Sequence, residues 1–313
     1  MRVTVLGSIN VDTILSVVEL PRPGETVMAS ASVRAPGGKG ANQAVAAARM
    51  GASTSMIGAV GDDPDGAWMR SLLEKDGIAV ASVLALPGVA TGAAAIAVDA
   101  RAENLIIVSP GANSALTPSA LPTPTDDVLL AQFEVPVATI AAAFADARGP
   151  RLLNAAPAMA EGAFLFAQSD VVIVNEHELA FYAGCDAIET REAAETAARP
   201  LLSRDDQAIV VTLGADGALA IWRDRAVHVP GLPVTPVDTV GAGDCFCGSL
   251  AALIAEGRSL EAALPLANAA AALCTQARGA APAMPRRSAV EAFCDAPKDR
   301  ASPVKTPPDA GID

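Results

Sequence analysis

The chain has 313 residues, 51% of them hydrophobic, and a formal net charge of -13 from 35 acidic and 22 basic residues. This length and apolar content suit one large α/β domain, with at most a small appendage. The charge argues against a nucleic-acid surface, which needs a basic patch, and no apolar run approaches the roughly 18–20 residues of a membrane span. Five cysteines, Cys185, Cys245, Cys247, Cys274 and Cys294, include no CxxC pair. Neither a disulfide framework nor a zinc site is therefore expected. The first residues lack a signal-peptide apolar region, and a cytoplasmic protein is expected.

Val3 to Leu6 reads as a buried strand that ends at Gly7-Ser8-Ile9-Asn10-Val11-Asp12. In an open parallel sheet, ligands sit beyond the carboxyl ends of strands. Asn10 and Asp12 are therefore candidate substrate ligands, with an Asx-type turn as the plainer alternative. Thr13 to Val18 and Thr26 to Val33 lean towards strand and are joined by Pro21-Arg22-Pro23-Gly24. They read as an antiparallel excursion from the main sheet. Next, Pro36-Gly37-Gly38-Lys39-Gly40-Ala41-Asn42-Gln43 leads into a helix over Ala44 to Met50. The stretch has neither P-loop nor dinucleotide-fingerprint spacing. Its glycines let a ligand approach the backbone, and Asn42 can donate to and accept from hydroxyls.

A strand over Thr54 to Val60, a Gly61-Asp62-Asp63-Pro64 turn and a helix over Asp65 to Asp76 begin a βα alternation. Such alternation implies a doubly wound parallel sheet. Thr91 to Val98 and Asn104 to Val108 are assigned to the same excursion as residues 13–34, giving a four-stranded lid over about 11–35 and 90–109. The alternation resumes with the strand Val128 to Gln132, which delivers Glu134, and a helix over Val137 to Ala147. Further strands end at Asn154-Ala155-Ala156-Pro157, at Asn175-Glu176-His177-Glu178 and at Leu213-Gly214-Ala215-Asp216-Gly217. Polar residues thus recur just past strand ends. Asn268 stands in an otherwise apolar helix, Ala262 to Thr275, and must find a partner there. His177 and His228 lack partners at metal-ligand spacing. Residues 295–313 carry no periodicity and are expected to be a disordered tail after a domain over 1–294.

Asp238-Thr239-Val240-Gly241-Ala242-Gly243-Asp244 joins an extended, Pro-containing segment to a helix over Gly241 to Glu256. Glycines at 241 and 243 bring backbone N–H groups close to whatever binds. The helix start offers unpaired donors and the positive end of a dipole. Asp244 adds a carboxylate beside that anion site, which is what phosphoryl transfer to a hydroxyl requires. A tight strand-to-helix turn with a dipole-matched acid is the plainer alternative. Cys245 and Cys247 read as small packing residues. Both lid segments lack aromatic residues, so hydrogen bonding to a polyhydroxylated compound is favoured over stacking on a base.

The stretch Gly37 to Ala44, with Gly51 and Gly61 behind it, and the stretch Asp238 to Asp244 together resemble the two signatures of the ribokinase-like (PfkB) carbohydrate kinases. The resemblance covers about Val3 to Phe293. It implies a three-layer α/β/α domain with a mostly parallel doubly wound sheet and a small β-sheet lid. It also implies ATP-dependent phosphorylation of D-ribose at O5. Another small sugar, such as deoxyribose or fructose, a nucleoside, or a non-catalytic sugar-binding regulator are the alternatives. In this resemblance Asp244 is the base, and Gly241, Ala242 and Gly243 form the anion hole. Asn10, Asp12, Gly38, Lys39, Asn42 and Glu134 match positions around the sugar. Asn175 and Glu178 match the element near phosphate and Mg²⁺, which Glu178 serves indirectly. Thr212, Gly214, Gly217, Gly243 and Asn268 match positions around ATP. Asp238 and Val240, with backbone at Cys274, Ala277 and Gly279, match a monovalent-cation (K⁺) site. Ala94 and Ile106 match lid positions that close over the neighbouring sugar site of a homodimer. The chain departs from the pattern at Cys245, Cys247, Ser249 and Ala283. The last bears on the strength of potassium activation.

Overall fold

The computed structural model describes residues 2–101 and 103–295. In chain order, β1 (Arg2–Leu6) is followed by β2 (Asn10–Ser16), β3 (Ala31–Gly37), α1 (Lys39–Arg49), β4 (Ser53–Gly61), α2 (Pro64–Lys75) and β5 (Ala79–Leu86). Then come β6 (Gly92–Val98), β7 (Asn104–Ser109), β8 (Val128–Gln132), α3 (Val137–Asp146), β9 (Arg151–Asn154), β10 (Val171–Asn175), α4 (Glu176–Ala183) and α5 (Arg191–Ala198). The chain continues through β11 (Ala208–Thr212), β12 (Ala218–Ile221), β13 (Ala226–Val229), α6 (Ala242–Ala255), α7 (Leu260–Cys274) and α8 (Arg287–Asp295).

Nine strands form one sheet in the order β13-β12-β11-β10-β9-β8-β1-β4-β5. Neighbours from β11 through to β5 run parallel, and β12 and β13 close one edge as an antiparallel hairpin. Parallel strands buried on both faces read as nearly continuous apolar runs, and β8 shows why. Val128 and Leu130 pack into one core with α1, α2, α6, α7 and α8. Leu129 and Ala131 point the other way, into a core built with α3, α4 and α5. The result is a three-layer α/β/α arrangement. β1 has β4 on one side and β8 on the other, so the chain reverses its direction of travel across the sheet there. The crevice beyond the carboxyl ends of β1 and β8 is the switch point at which such sheets bind ligands.

A separate four-stranded sheet, β3-β2-β6-β7, is the lid. β2 pairs antiparallel with β3 and parallel with β6, and β6 pairs antiparallel with β7. The first lid segment, Asn10 to Gly37, begins earlier and ends later than expected, and the second, Gly92 to Ser109, lies within the expected 90–109. The strand expected over Thr26 to Val33 is shifted to Ala31–Gly37. Val27 and Met28 instead lie exposed in an irregular connection. Helix α1 starts at Lys39, five residues before the expected Ala44, because Gly38 with φ 88° turns the chain directly into it. Asp295 closes α8 and does not belong to a tail. The rest of the expected tail, 296–313, lies outside the described residues. No helix among the described residues is long and apolar enough to cross a membrane.

Candidate active site

The helix α6 is set by two glycines. Gly241 is its N-cap with φ 80°, a left-handed conformation that non-glycine residues adopt only with strain. A Cβ there would also come within 2.7 Å of Ala280. Two turns further on, a Cβ at Gly248 would stand 2.2 Å from the Gln43 carbonyl oxygen. The missing side chain lets α6 lie close against α1. That approach brings Asn42 and Gln43, on α1, to Asp244 in the first turn of α6. Asn42 Nδ2 donates to Asp244 Oδ2 at 2.9 Å, and Gln43 Nε2 donates to Asp244 Oδ1 at 2.9 Å. Asp244 is buried, and both its oxygens accept a hydrogen bond.

A cleft of about 120 Å³ opens in front of it, lined by Lys39, Asn154, Asn175, Glu178, Thr212, Gly241, Gly243, Asp244 and Cys247, among others. A Cβ added at Gly243 would meet no atom within 4 Å, so the backbone there is open to an incoming group. At this end of α6 the Ala242 N–H donates to the Thr239 carbonyl at 3.3 Å, while among the described residues the N–H groups of Gly241, Gly243 and Asp244 have no backbone acceptor. Across it, Asn175 and Glu178 form a capping box at the start of α4. The Asn175 N–H donates to Glu178 Oε2 at 2.9 Å, and the Glu178 N–H donates to Asn175 Oδ1 at 2.8 Å.

The lid side of the crevice carries Asn10 and Asp12. They sit two residues apart on β2 and so point to the same side of the lid. Asn10 Oδ1 accepts from Asn113 Nδ2 at 2.7 Å, while Asn113 Oδ1 accepts from the Ile9 N–H at 2.9 Å. Glu134 Oε2 accepts from the Lys39 N–H at 3.1 Å and from the Ser8 hydroxyl. The loops after β1 and β8 are thereby tied to the start of α1, which Gly38 caps. Asp12 differs from these groups. Among the described residues, no donor hydrogen-bonds its carboxylate. Burial, and then the charges of Glu134 and Asp244, push its pKa to about 6. Burial would lower the Lys39 ammonium, but Asp244, Glu134 and Glu178 outweigh it and hold that group charged. Burial raises Glu178 above the usual carboxylate range despite its bond from Asn175. Burial also pushes the Cys247 thiol well up, so it faces the cleft as a neutral thiol and not a nucleophile.

Other expected site residues fall around this centre. Thr212, at the end of β11, lines the cleft. Gly214 and Gly217, with φ 53° and 96°, bracket the turn into β12 beyond it. Asn268 finds the partner its burial demands, donating to the Pro230 carbonyl at 3.0 Å. Asp238 accepts from the N–H groups of Val240 at 3.0 Å and Gly279 at 2.9 Å. It therefore clamps the segment before α6 onto the loop that follows Cys274 at the end of α7 and contains Ala277. Among the described residues, no cluster of three or more His, Cys, Asp or Glu is arranged to hold a metal. His177 is exposed at the start of α4.

Ser8, Gln43, Asn113, Gln132 and Asn154 belong to the hydrogen-bonded surroundings of the site without having been singled out in the sequence. The available signal was positional, since Gln132 and Asn154 are polar residues that close apolar strands. A larger cavity, about 340 Å³, lies at the opposite ends of β1, β4 and β8, between Thr4, Ser55, Asp127 and the segment 121–125. It contains no helix-start glycines, and its Asp127 carboxylate is engaged by Arg2 and Thr4.

A model of the pfkB family carbohydrate kinases matches residues 1–287. A deoxyribokinase of Salmonella typhi is 37% identical over 273 residues, covering 84% of this chain and 89% of the relative. A ribokinase of Haemophilus influenzae is 34% identical over 275 residues, covering 85% and 90%. The crystal structure of the Thermotoga maritima ribokinase superposes with a TM-score of 0.86 at 32% identity, covering 94% of this chain and 99% of that one. The ribokinase of Arabidopsis thaliana complexed with ribose and ATP superposes with a TM-score of 0.82 at 29% identity, covering 95% and 99%. With its two glycine-bearing signatures folded against one another at a single cleft, the chain belongs to the pfkB family of carbohydrate kinases.

Proposed function

We propose that this protein is an ATP-dependent kinase that phosphorylates D-ribose at O5 to give D-ribose 5-phosphate. The observation that carries the reading is the buried Asp244 carboxylate at the start of α6, facing a cleft bordered by Lys39, Asn42 and Glu178. The sugar lies against Asn10, Asp12, Gly38, Lys39, Asn42 and Glu134. Its 5-hydroxyl is directed at Asp244, which takes the proton as the oxygen attacks the γ-phosphorus of ATP. The bond to the β–γ bridging oxygen breaks and ADP leaves. The N–H groups of Gly241, Ala242 and Gly243 receive the charge on the transferring group. A single such donor is worth about 2.7–4 kcal/mol. Thr212, Gly214, Gly217 and Asn268 serve the nucleotide. Asn175 and Glu178 would hold Mg²⁺, which would supply charge neutralisation on the phosphates. Asp238, Val240, Cys274, Ala277 and Gly279 would hold K⁺, which would add positive charge beside the anion hole. The protein works in the cytoplasm, as a homodimer joined through the lid. The outer lid strand β7 supports this, exposing Leu105, Ile106, Ile107 and Val108, with Ala94 and Ile106 near the partner's sugar site.

A second reading, phosphorylation of deoxyribose, is favoured by the 37% identity to a deoxyribokinase. The two sugars differ by the 2-hydroxyl, and a site built to pair that hydroxyl rejects the analogue that lacks it. An ADP-release assay over ribose, deoxyribose, fructose and adenosine, with and without K⁺, separates the readings. Asp244→Asn is expected to keep sugar binding and lower kcat by about 10²–10⁴-fold. Near-normal turnover in that variant overturns the assignment.

A further inference from the structure

Behind Asp244 stands a chain of buried amides. Gln43 Nε2 is shared between Asp244 Oδ1 and Asn154 Oδ1, each at 2.9 Å. Gln43 Oε1 accepts from Gln132 Nε2 at 2.6 Å, and Asn154 Nδ2 donates to the Ile173 carbonyl at 3.3 Å. Gln43 and Gln132 are fully buried, and Asn154 nearly so. The direction of this chain follows from chemistry. An ionised carboxylate only accepts, so the amine end of Gln43 must face Asp244. Its oxygen then faces Gln132, which must present its own amine. Gln132 Oε1 is left with no donor. It lies 2.0 Å from where a Cβ on Gly7 would stand. An unpaired buried amide oxygen is costly. Its presence at the far end of the chain is explained if the donors are committed towards Asp244.

We infer that Gln43, oriented by Gln132, is a positioning residue that holds the Asp244 carboxylate aimed at the substrate hydroxyl. The inference rests on Asp244 being the base. Several charged or titratable groups face Asp244 from the surrounding elements. They are Lys39 on α1, Asp12 on β2, Glu178 on α4, Cys245 and Cys247 on α6, and Cys274 on α7. The Gln43 and Asn42 donors fix the orientation of the carboxylate without adding charge to the site.

The test is Gln43→Leu, with Gln132→Met as the milder variant that leaves every contact to Asp244 in place. Sugar affinity by calorimetry is expected within about threefold of wild type in both, because neither residue reaches the sugar side. At neutral pH, kcat is expected to fall about tenfold or more in Gln43→Leu while sugar affinity holds. Gln132→Met should show the same loss confined to kcat, at smaller size. A merely structural role predicts lower thermal stability with the kcat of the folded protein unchanged, and that result in both variants overturns the inference. If Asp244→Asn retains turnover, the base assignment fails and the inference fails with it. An inactive Asp244→Asn beside unchanged kcat in both glutamine variants refutes the positioning role alone.

Discussion

Asp12 is the group in this site whose chemistry and stability pull apart most clearly. Its pKa is raised from 3.8 to about 6, first by burial and then by Glu134 and Asp244. Two units correspond to about 3 kcal/mol of preference for the protonated form in the fold. The sign follows from linkage. The folded state binds this proton more tightly than the unfolded state, so stability falls as pH rises from about 4 to about 6 and stays reduced above that. Asp12→Asn removes the charge and keeps the shape. The variant should gain at most about 3 kcal/mol at pH 8, about half of that at pH 5, and little near pH 4. For a chain of this length the gain at pH 8 amounts to several degrees of Tm. Thermal unfolding of both proteins at pH 5 and pH 8, without sugar, measures it. Adding ribose should reverse the order, because only wild type offers an ionised acceptor to the hydroxyls and so gains the stabilisation of a bound ligand. A variant no more stable at pH 8 than wild type, or a gain equal at the two pH values, would refute the reasoning.

Gly243→Ala should fold as wild type, since its Cβ enters open space, yet lose most turnover because that space is where the phosphoryl group must sit. Comparing Tm with ADP release checks both halves. Gly241→Ala should instead lose about 1–3 kcal/mol of stability, from the φ of 80° and the 2.7 Å approach to Ala280. If the chain dimerises through the lid as proposed, Ile107→Lys on the exposed β7 should sediment as a monomer where wild type sediments as a dimer, with Tm within about a degree or two. An unchanged dimer removes β7 from the interface.

The main sheet was legible because its strands are short apolar runs followed by polar residues, and burial on both faces imposes that pattern. The lid was legible as an excursion, yet β3 was displaced by five residues. Nothing in Thr26 to Val33 distinguishes an exposed strand from an exposed connection when neither face is buried. β5, α5, the β12–β13 hairpin and α8 went unassigned, being short elements at the edges whose order comes from packing. At the site, the residues carrying charge stood out by position and motif. Gln43, Gln132 and Asn154 did not, because a neutral amide shows its importance only through the partner it meets across 90 to 200 residues of chain.

The charge around the cleft also constrains the order in which it can fill. Glu134, Glu178 and Asp244 face one ammonium, Lys39, and Asp12 stands against Glu134 and Asp244. In the proposed reaction a neutral sugar would meet no repulsion there and would supply hydroxyl donors to Asp12, which has none among the described residues. It would thereby remove the instability that the bare carboxylate carries. A triphosphate entering the same space meets an excess of carboxylates. It is accommodated only with cations of its own and with the N–H donors at the start of α6. The acidity of the chain as a whole, -13, thus bears little on anion binding. What admits the phosphate is local, namely two glycines that open a helix end and one lysine held charged by the acids around it.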